Sequence, residues 1–126
     1  MYPTIRAVTE SQLASASLLL MEINDDTTRL ELEAALRASC VRWPTLQLAA
    51  LDDQGALLGV ATGALDTLDR RVGWSHDLVV APGARKRGVG QALITAQLEA
   101  FRTLGCTRVR GQSPARLLPA LPFFRK

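Results

Sequence analysis

The stretch Leu78-Val79-Val80-Ala81-Pro82-Gly83-Ala84-Arg85-Lys86-Arg87-Gly88-Val89-Gly90-Gln91-Ala92-Leu93 constrains this chain more than any other. An apolar strand runs into a Pro-Gly break, then three consecutive cations, two glycines and the start of a helix. Glycine lets a backbone approach a ligand closely, and the first turn of a helix carries N–H groups with no partner inside the helix. The helix dipole adds partial positive charge at the same end, which suits a phosphate. Arg85, Lys86 and Arg87 add formal charge beside it. Together these make a cradle for a pyrophosphate. Taken by itself, the segment also reads as an ordinary basic turn before a helix.

The rest of the chain supplies an α/β frame for that segment. Thr4–Val8 alternates polar and apolar residues and reads as an opening strand. Thr9 with Gln12, and Thr28 with Glu31, have capping-box spacing, and each pair opens a helix. Leu13, Ala16, Leu20 and Ile23 mark the first helix; Leu32, Leu36 and Cys40 mark the second, which Pro44 ends. Leu46–Leu51 and Ala56–Leu65 flank the turn Asp52-Asp53-Gln54-Gly55 and read as a hairpin. Asp66–Arg71 is a turn, and Gly73–Ala81 is the next strand. A helix from Gly88 to Leu104 puts Val89, Leu93, Ala96, Ala100 and Leu104 on one stripe, with Gly105 as its stop. Thr107–Arg110 is a short strand, and Ser113-Pro114 opens a short last helix. The order is β-α-α-β-β-β-α-β-α in one domain over residues 1–126.

Composition narrows the function classes. The chain is 48% hydrophobic and 21% charged, enough to bury a core. Two cysteines without CxxC spacing and a single histidine give no zinc set, so no metal is expected. Cys40 and Cys106 read as buried thiols of a reducing compartment. Met1–Val8 lacks the basic start and apolar stretch of a signal peptide, and no apolar run approaches the ~18 residues of a membrane span. The expectation is a cytoplasmic protein with no membrane partner. Charge is split: residues 1–77 hold six Arg against eleven acids, and residues 78–126 hold nine Lys or Arg against Glu99 alone. Such a division suits two different partners.

Three phosphate-binding motifs compete for the basic loop. Gly83 and Gly88 have Walker spacing, but Val89 stands where Lys is required and Gly90 where Ser or Thr is. A dinucleotide fingerprint would need a third glycine at Leu93. The signature R-x-x-G-x-G is met by Arg85, Gly88 and Gly90, and a V-x-P strand end by Val80 and Pro82. With these motifs and this order of elements the chain resembles the GNAT superfamily of N-acetyltransferases, from Ile5 to its end. The resemblance implies a central mixed, mostly antiparallel sheet flanked by helices. It implies acetyl-CoA as co-substrate, with Arg85, Lys86, Arg87, Gly88, Val89 and Gly90 at the pyrophosphate. Leu78 and Val80 would present backbone groups to the pantetheine arm.

The same resemblance points to catalytic groups. Transfer from a thioester to an amine needs a positioned carbonyl and a base for the amine proton. His76 lies two residues before Leu78 and four before Val80, so plain alternation places the three on one face and Asp77 on the other. Its position resembles that of a catalytic His in the serotonin N-acetyltransferase branch. A half-buried structural His is the plain alternative, and Asp77 reads as a structural partner. The family's usual acid is a Tyr where this chain has Phe124, and Tyr2 is a poor substitute. Glu22, Asp25, Asp26, Glu31 and Glu33 form an acidic stretch that suits a cationic amine, small-molecule or peptide. Trp43 and Trp74 are candidates to line the cleft. Family members continue with further strands beyond the point where this chain ends, so the last strand is expected to be an open edge, with a homodimer as one way to pair it. The expected function is acetyl transfer to a primary amine. The alternatives are a non-catalytic acyl-CoA-binding or regulatory domain of the same fold, and a small basic nucleic-acid-binding protein. The last is disfavoured because the arginines are scattered and not interleaved with aromatics.

Overall fold

A computed structural model describes residues 3–24, 26–85 and 87–111. Among these, strand β1 is Thr4–Ala7, helix α1 Leu13–Leu20, helix α2 Arg29–Arg42, and strands β2, β3 and β4 are Leu48–Leu51, Leu57–Leu65 and Val72–Val80. Helix α3 is Val89–Thr103 and strand β5 is Arg108–Gly111. Lys86, Asp25, Tyr2, Phe124 and the helix expected after Ser113 lie outside the described residues.

The five strands form one mixed sheet in the order β1-β2-β3-β4-β5, antiparallel from β1 to β4. Only β4 and β5 are parallel, and α3 makes the crossover between them. Helices α1 and α2 cover one face, where Leu13, Leu20 and Leu36 pack with Val60 and Val79. Helix α3 covers the other, where Val89 and Leu93 meet Leu48, Ala50 and Ala61.

Local chemistry explains where the helices start and stop. The Thr9 N–H donates to Gln12 Oε1 at 2.9 Å, and the Glu31 N–H donates to Thr28 Oγ1 at 3.2 Å. Asn24 Nδ2 donates to the Leu20 carbonyl at 3.0 Å, closing the end of α1. Gly105 adopts φ 94, and the Cys106 N–H donates to the Phe101 carbonyl at 3.0 Å while that of Gly105 donates to Arg102. This pairing is a Schellman stop, and it depends on a residue tolerating the left-handed region.

The buried stripe of α3 is rotated from the one that spacing suggests. Leu93, Ile94, Gln97, Leu98 and Phe101 are buried, whereas Leu104 is 41% exposed. Phe101 sets this rotation. Its ring lies on Gly73, where a Cβ would collide with it, and beside Gly63. Full burial of one such ring contributes ~1.5–3 kcal/mol, more than a terminal leucine gains at a helix end.

Candidate functional site

The site is built on a fault in β4. Thr62 pairs with Asp77 and Gly63 with Ser75, so His76 is an extra residue with no counterpart on β3. Gly73 and Ser75 face α3, where the Ser75 hydroxyl donates to Gln97 Oε1 at 2.8 Å. Beyond the bulge the phase has slipped, and Leu78 and Val80 also pack on the α3 side. Val79 faces α1 and α2, and His76 and Asp77 line one cavity on that side. This corrects the reading from plain alternation. His76 does not share a face with Leu78 and Val80; it stands beside Asp77.

Buried polar side chains hold the fault in place. The Asp77 N–H donates to Thr62 Oγ1 at 3.1 Å, and the Thr62 hydroxyl donates to Asp77 Oδ2 at 3.1 Å. On β3, Gln47 clamps Gly63: its Oε1 accepts the Gly63 N–H at 3.0 Å, and its Nε2 donates to the Gly63 carbonyl at 2.7 Å. From the other face, Gln97 Nε2 donates to the Leu46 carbonyl at 2.9 Å. Gln47 and Gln97 are both 0% exposed. Sequence reading missed Thr62, Gln47, Ser75 and Gln97. A glutamine between Leu46 and Leu48 in an apolar strand was the available signal, since a buried amide requires partners.

His76 is half-buried at the bulge. Burial pushes its pKa below the ordinary histidine value, and the Asp77 charge pulls back only part of that shift. At neutral pH the ring is therefore uncharged and able to accept a proton. The cavity beside it has a volume of ≈ 160 Å³ and is roofed by Leu20 of α1 and by Leu32, Ala35, Leu36 and Ser39 of α2. Thr62, Gly63 and Ala64 of β3 form its floor with Gln47.

Past the bulge, β4 has a free side. β5 pairs only with Val72–Ser75, so among the described residues Asp77–Val80 is bordered by β3 alone. The Ala81 N–H donates to the Leu58 carbonyl at 2.8 Å, which fixes the hydrogen-bonding phase of the antiparallel ladder. In that phase the peptide groups of Leu78 and Val80 point away from β3, toward the open side. The Val80 carbonyl accordingly accepts Arg85 Nε at 3.2 Å.

This open edge leads to the N-terminus of α3. Gly88 takes φ 79 as the helix cap, and the first helical bond runs from the Ala92 N–H to the Gly88 carbonyl at 3.0 Å. The N–H groups of Val89, Gly90 and Gln91 precede it and have no helical acceptor. A Cβ on Gly90 would lie 3.6 Å from Val80 Cγ2, an ordinary contact, so packing does not demand glycine there. Arg85 is anchored through Nη2 to Glu22 Oε1 at 2.9 Å, and Arg87 is exposed. Donors without acceptors among the described residues, two described cations and a glycine without a packing reason fit a pyrophosphate group.

Two other candidates have different duties. Trp43 carries the guanidinium groups of Arg42 and Arg70 at 5.2 and 5.3 Å from its ring centre. Trp74 donates its indole N–H to Asp66 Oδ1 at 2.8 Å. Neither ring lines the cavity. The acidic stretch is also partly neutralised, because Glu33 pairs with Arg29 at 2.8 Å and with Arg37 at 3.5 Å, and Glu22 pairs with Arg85.

The sequence model of the acetyltransferase (GNAT) family matches residues 12–126. The chain belongs to the GNAT acetyltransferase family. No curated protein matches this GNAT chain by sequence. Solved structures share its fold. Ard1 from Thermoplasma volcanium superimposes with a TM-score of 0.78 at 19% identity, over 95% of this chain and 81% of that one. The aminoglycoside N-acetyltransferase AAC(6')-Iy, solved with CoA, gives 0.75 at 19% identity over 97% and 84%. A phosphinothricin acetyltransferase from Sinorhizobium meliloti, solved with AcCoA, gives 0.75 at 23% identity over 96% and 74%. Among the described residues of this GNAT domain, no helix is long and apolar enough to cross a membrane.

Proposed function

We propose that this GNAT domain is an acetyl-CoA-dependent N-acetyltransferase that moves the acetyl group directly onto a primary amine. The observation that carries the reading is the open side of β4 running into the first-turn N–H groups of α3, which have no acceptor among the described residues. An extended amide-bearing arm can pair with Leu78 and Val80 while its pyrophosphate meets Val89 and Gly90. Arg85 and Arg87, with Lys86 between them in sequence, supply positive charge to that loop. Acetyl-CoA brings the activated thioester. A thioester at the end of that arm lies next to the bulge, where His76 waits uncharged.

His76 acts as the base. The amine nitrogen forms its bond to the acetyl carbon as the C–S bond breaks and CoA leaves as the thiolate. Of the three protons on the starting ammonium, one stays on the amide nitrogen. One leaves through His76 to solvent, and one ends on the CoA sulfur. A thiol titrates near ~8.5, so the thiolate takes up that last proton near neutrality, with solvent water relaying it. Positioning provides the remainder of the rate.

Calorimetry with acetyl-CoA, followed by a thiol-release assay over an amine panel, tests this. Binding together with amine-dependent thiol release is the expected result. No binding at millimolar acetyl-CoA overturns the reading. Binding with no thiol release from any amine replaces it with a carrier or regulatory role.

A further inference from the structure

The cavity at the β4 bulge defines which amine this domain takes. We propose that the acceptor is a compact primary amine with a small apolar body and no second charge, an inference that rests on the transferase reading above. It sits under α2 with its nitrogen at His76 and Asp77.

Size comes first. The cavity volume of ≈ 160 Å³ is close to the ~150 Å³ that accommodates a benzene molecule in a protein interior. The cavity opens to solvent beside Ala35, which is exposed; a body of about six or seven carbon atoms fills it, and a trisaccharide cannot enter whole.

Lining chemistry comes second. Leu20, Leu32, Ala35 and Leu36 give the body an apolar enclosure. The floor offers few polar groups, because both ends of the Gln47 amide are bonded to the backbone and the Thr62 hydroxyl is committed to Asp77. Polar capacity remains at the bulge, at His76 and at the second Asp77 oxygen, with Ser39 on α2.

Charge comes third. Among the described lining residues Asp77 is the one carboxylate, and none is a Lys or Arg. One carboxylate matches one ammonium. A substrate carboxylate would enter without a cation to meet it, and a second ammonium would enter without an anion. Either charge, when drawn inside with the apolar body, would lose its hydration with no partner among the described lining residues. This disfavours amino acids, polyamines and aminoglycosides. The acids Glu22 and Glu33 do not change the balance, since arginines already hold both.

The test compares benzylamine and isopentylamine with 4-(aminomethyl)benzoate, spermidine and glycine by thiol release at saturating acetyl-CoA. The expected result is a kcat/KM for the two compact amines at least roughly 100-fold above the charged ones, given the penalty of an unpaired buried charge. A second arm uses Ala35→Trp, which puts an indole into the cavity mouth from an exposed helix position. It is expected to lower kcat/KM for benzylamine by on the order of 100-fold while the acetyl-CoA Kd from calorimetry stays unchanged, which also shows that the variant is folded. Turnover of spermidine or the benzoate equal to benzylamine overturns the inference alone, as does unchanged benzylamine turnover in Ala35→Trp. Acetyl-CoA that fails to bind, or binds with no amine turned over, removes the transferase reading and this inference together.

Discussion

Thr62 and Asp77 face each other across β3 and β4 and exchange two hydrogen bonds. The Asp77 N–H donates to the Thr62 hydroxyl oxygen, and that hydroxyl donates to the Asp77 carboxylate, each at 3.1 Å. The side chain of Thr62 thus does the work of a ladder carbonyl at the point where the extra residue His76 breaks the register. It also fixes one Asp77 oxygen, leaving the other for the cavity.

Thr62→Val keeps the volume of this side chain and removes both bonds. A part-buried N–H left without an acceptor costs at most about 1–3 kcal/mol, so the stability read from the denaturation midpoint should fall by up to that amount. The bulge lies away from the α3 N-terminus, so acetyl-CoA affinity should hold while the KM for amine rises. Urea melts and calorimetry check both statements. Wild-type stability in the variant would show that Thr62 does not hold the bulge.

Gly90 offers the opposite pattern. It is the second residue of α3, where glycine is a poor helix former, and a Cβ there meets only ordinary contacts with Val80 and Leu78. Gly90→Ala should therefore stabilise the fold by about 0.4–1 kcal/mol. On the reading proposed above the pyrophosphate lies against this first turn, so acetyl-CoA should bind several-fold more weakly to the variant. Thermal melts with calorimetry separate the two effects. A variant that is stabilised and binds acetyl-CoA as wild type would leave the glycine without a ligand-based reason.

Much of this frame is legible in the sequence because it depends on local chemistry. Thr28 with Glu31, Gly105 and the turn at Gly55 act within a few residues of themselves. The order of strands and the loop from Arg85 to Gly90 follow from such signals. The face of His76 does not. Period-two alternation assumes one residue opposite one residue, and a bulge stabilised from Gln47 just before β2, from β3 and from α3 breaks that assumption without any mark in β4 itself. The α3 stripe was misphased for a related reason. Phe101 is buried because Gly73 and Gly63, far away in sequence, leave room for its ring.

Gln97 tests that long-range support. It is fully buried and bonded to the Ser75 hydroxyl at 2.8 Å and the Leu46 carbonyl at 2.9 Å. Gln97→Leu matches its bulk and leaves both partners unpaired, at a cost of about 1–3 kcal/mol for each group. Adding Ser75→Ala removes one of the stranded groups and should recover part of the loss. A double variant no more stable than Gln97→Leu would mean that the Ser75 hydroxyl finds another partner.

The pH profile examines His76 directly. Its folded pKa is lowered by burial, with Asp77 opposing the shift. The base must be uncharged, so kcat/KM, plotted against the concentration of neutral amine, should be flat above the ordinary histidine value of about 6.5 and fall only below it. Stability follows the same sign. The unfolded chain takes up the proton first, so His76 makes the fold lose stability as pH drops from about 6.5 through the lowered value, and contributes no loss above it. Asp77→Asn removes the charge that supports the imidazolium and should move the acid limb lower still. His76→Ala should lower kcat by on the order of 10²–10³ and abolish the limb, with acetyl-CoA affinity kept. A limb above the ordinary histidine value, or one that persists unchanged in His76→Ala, would assign the titration to another group.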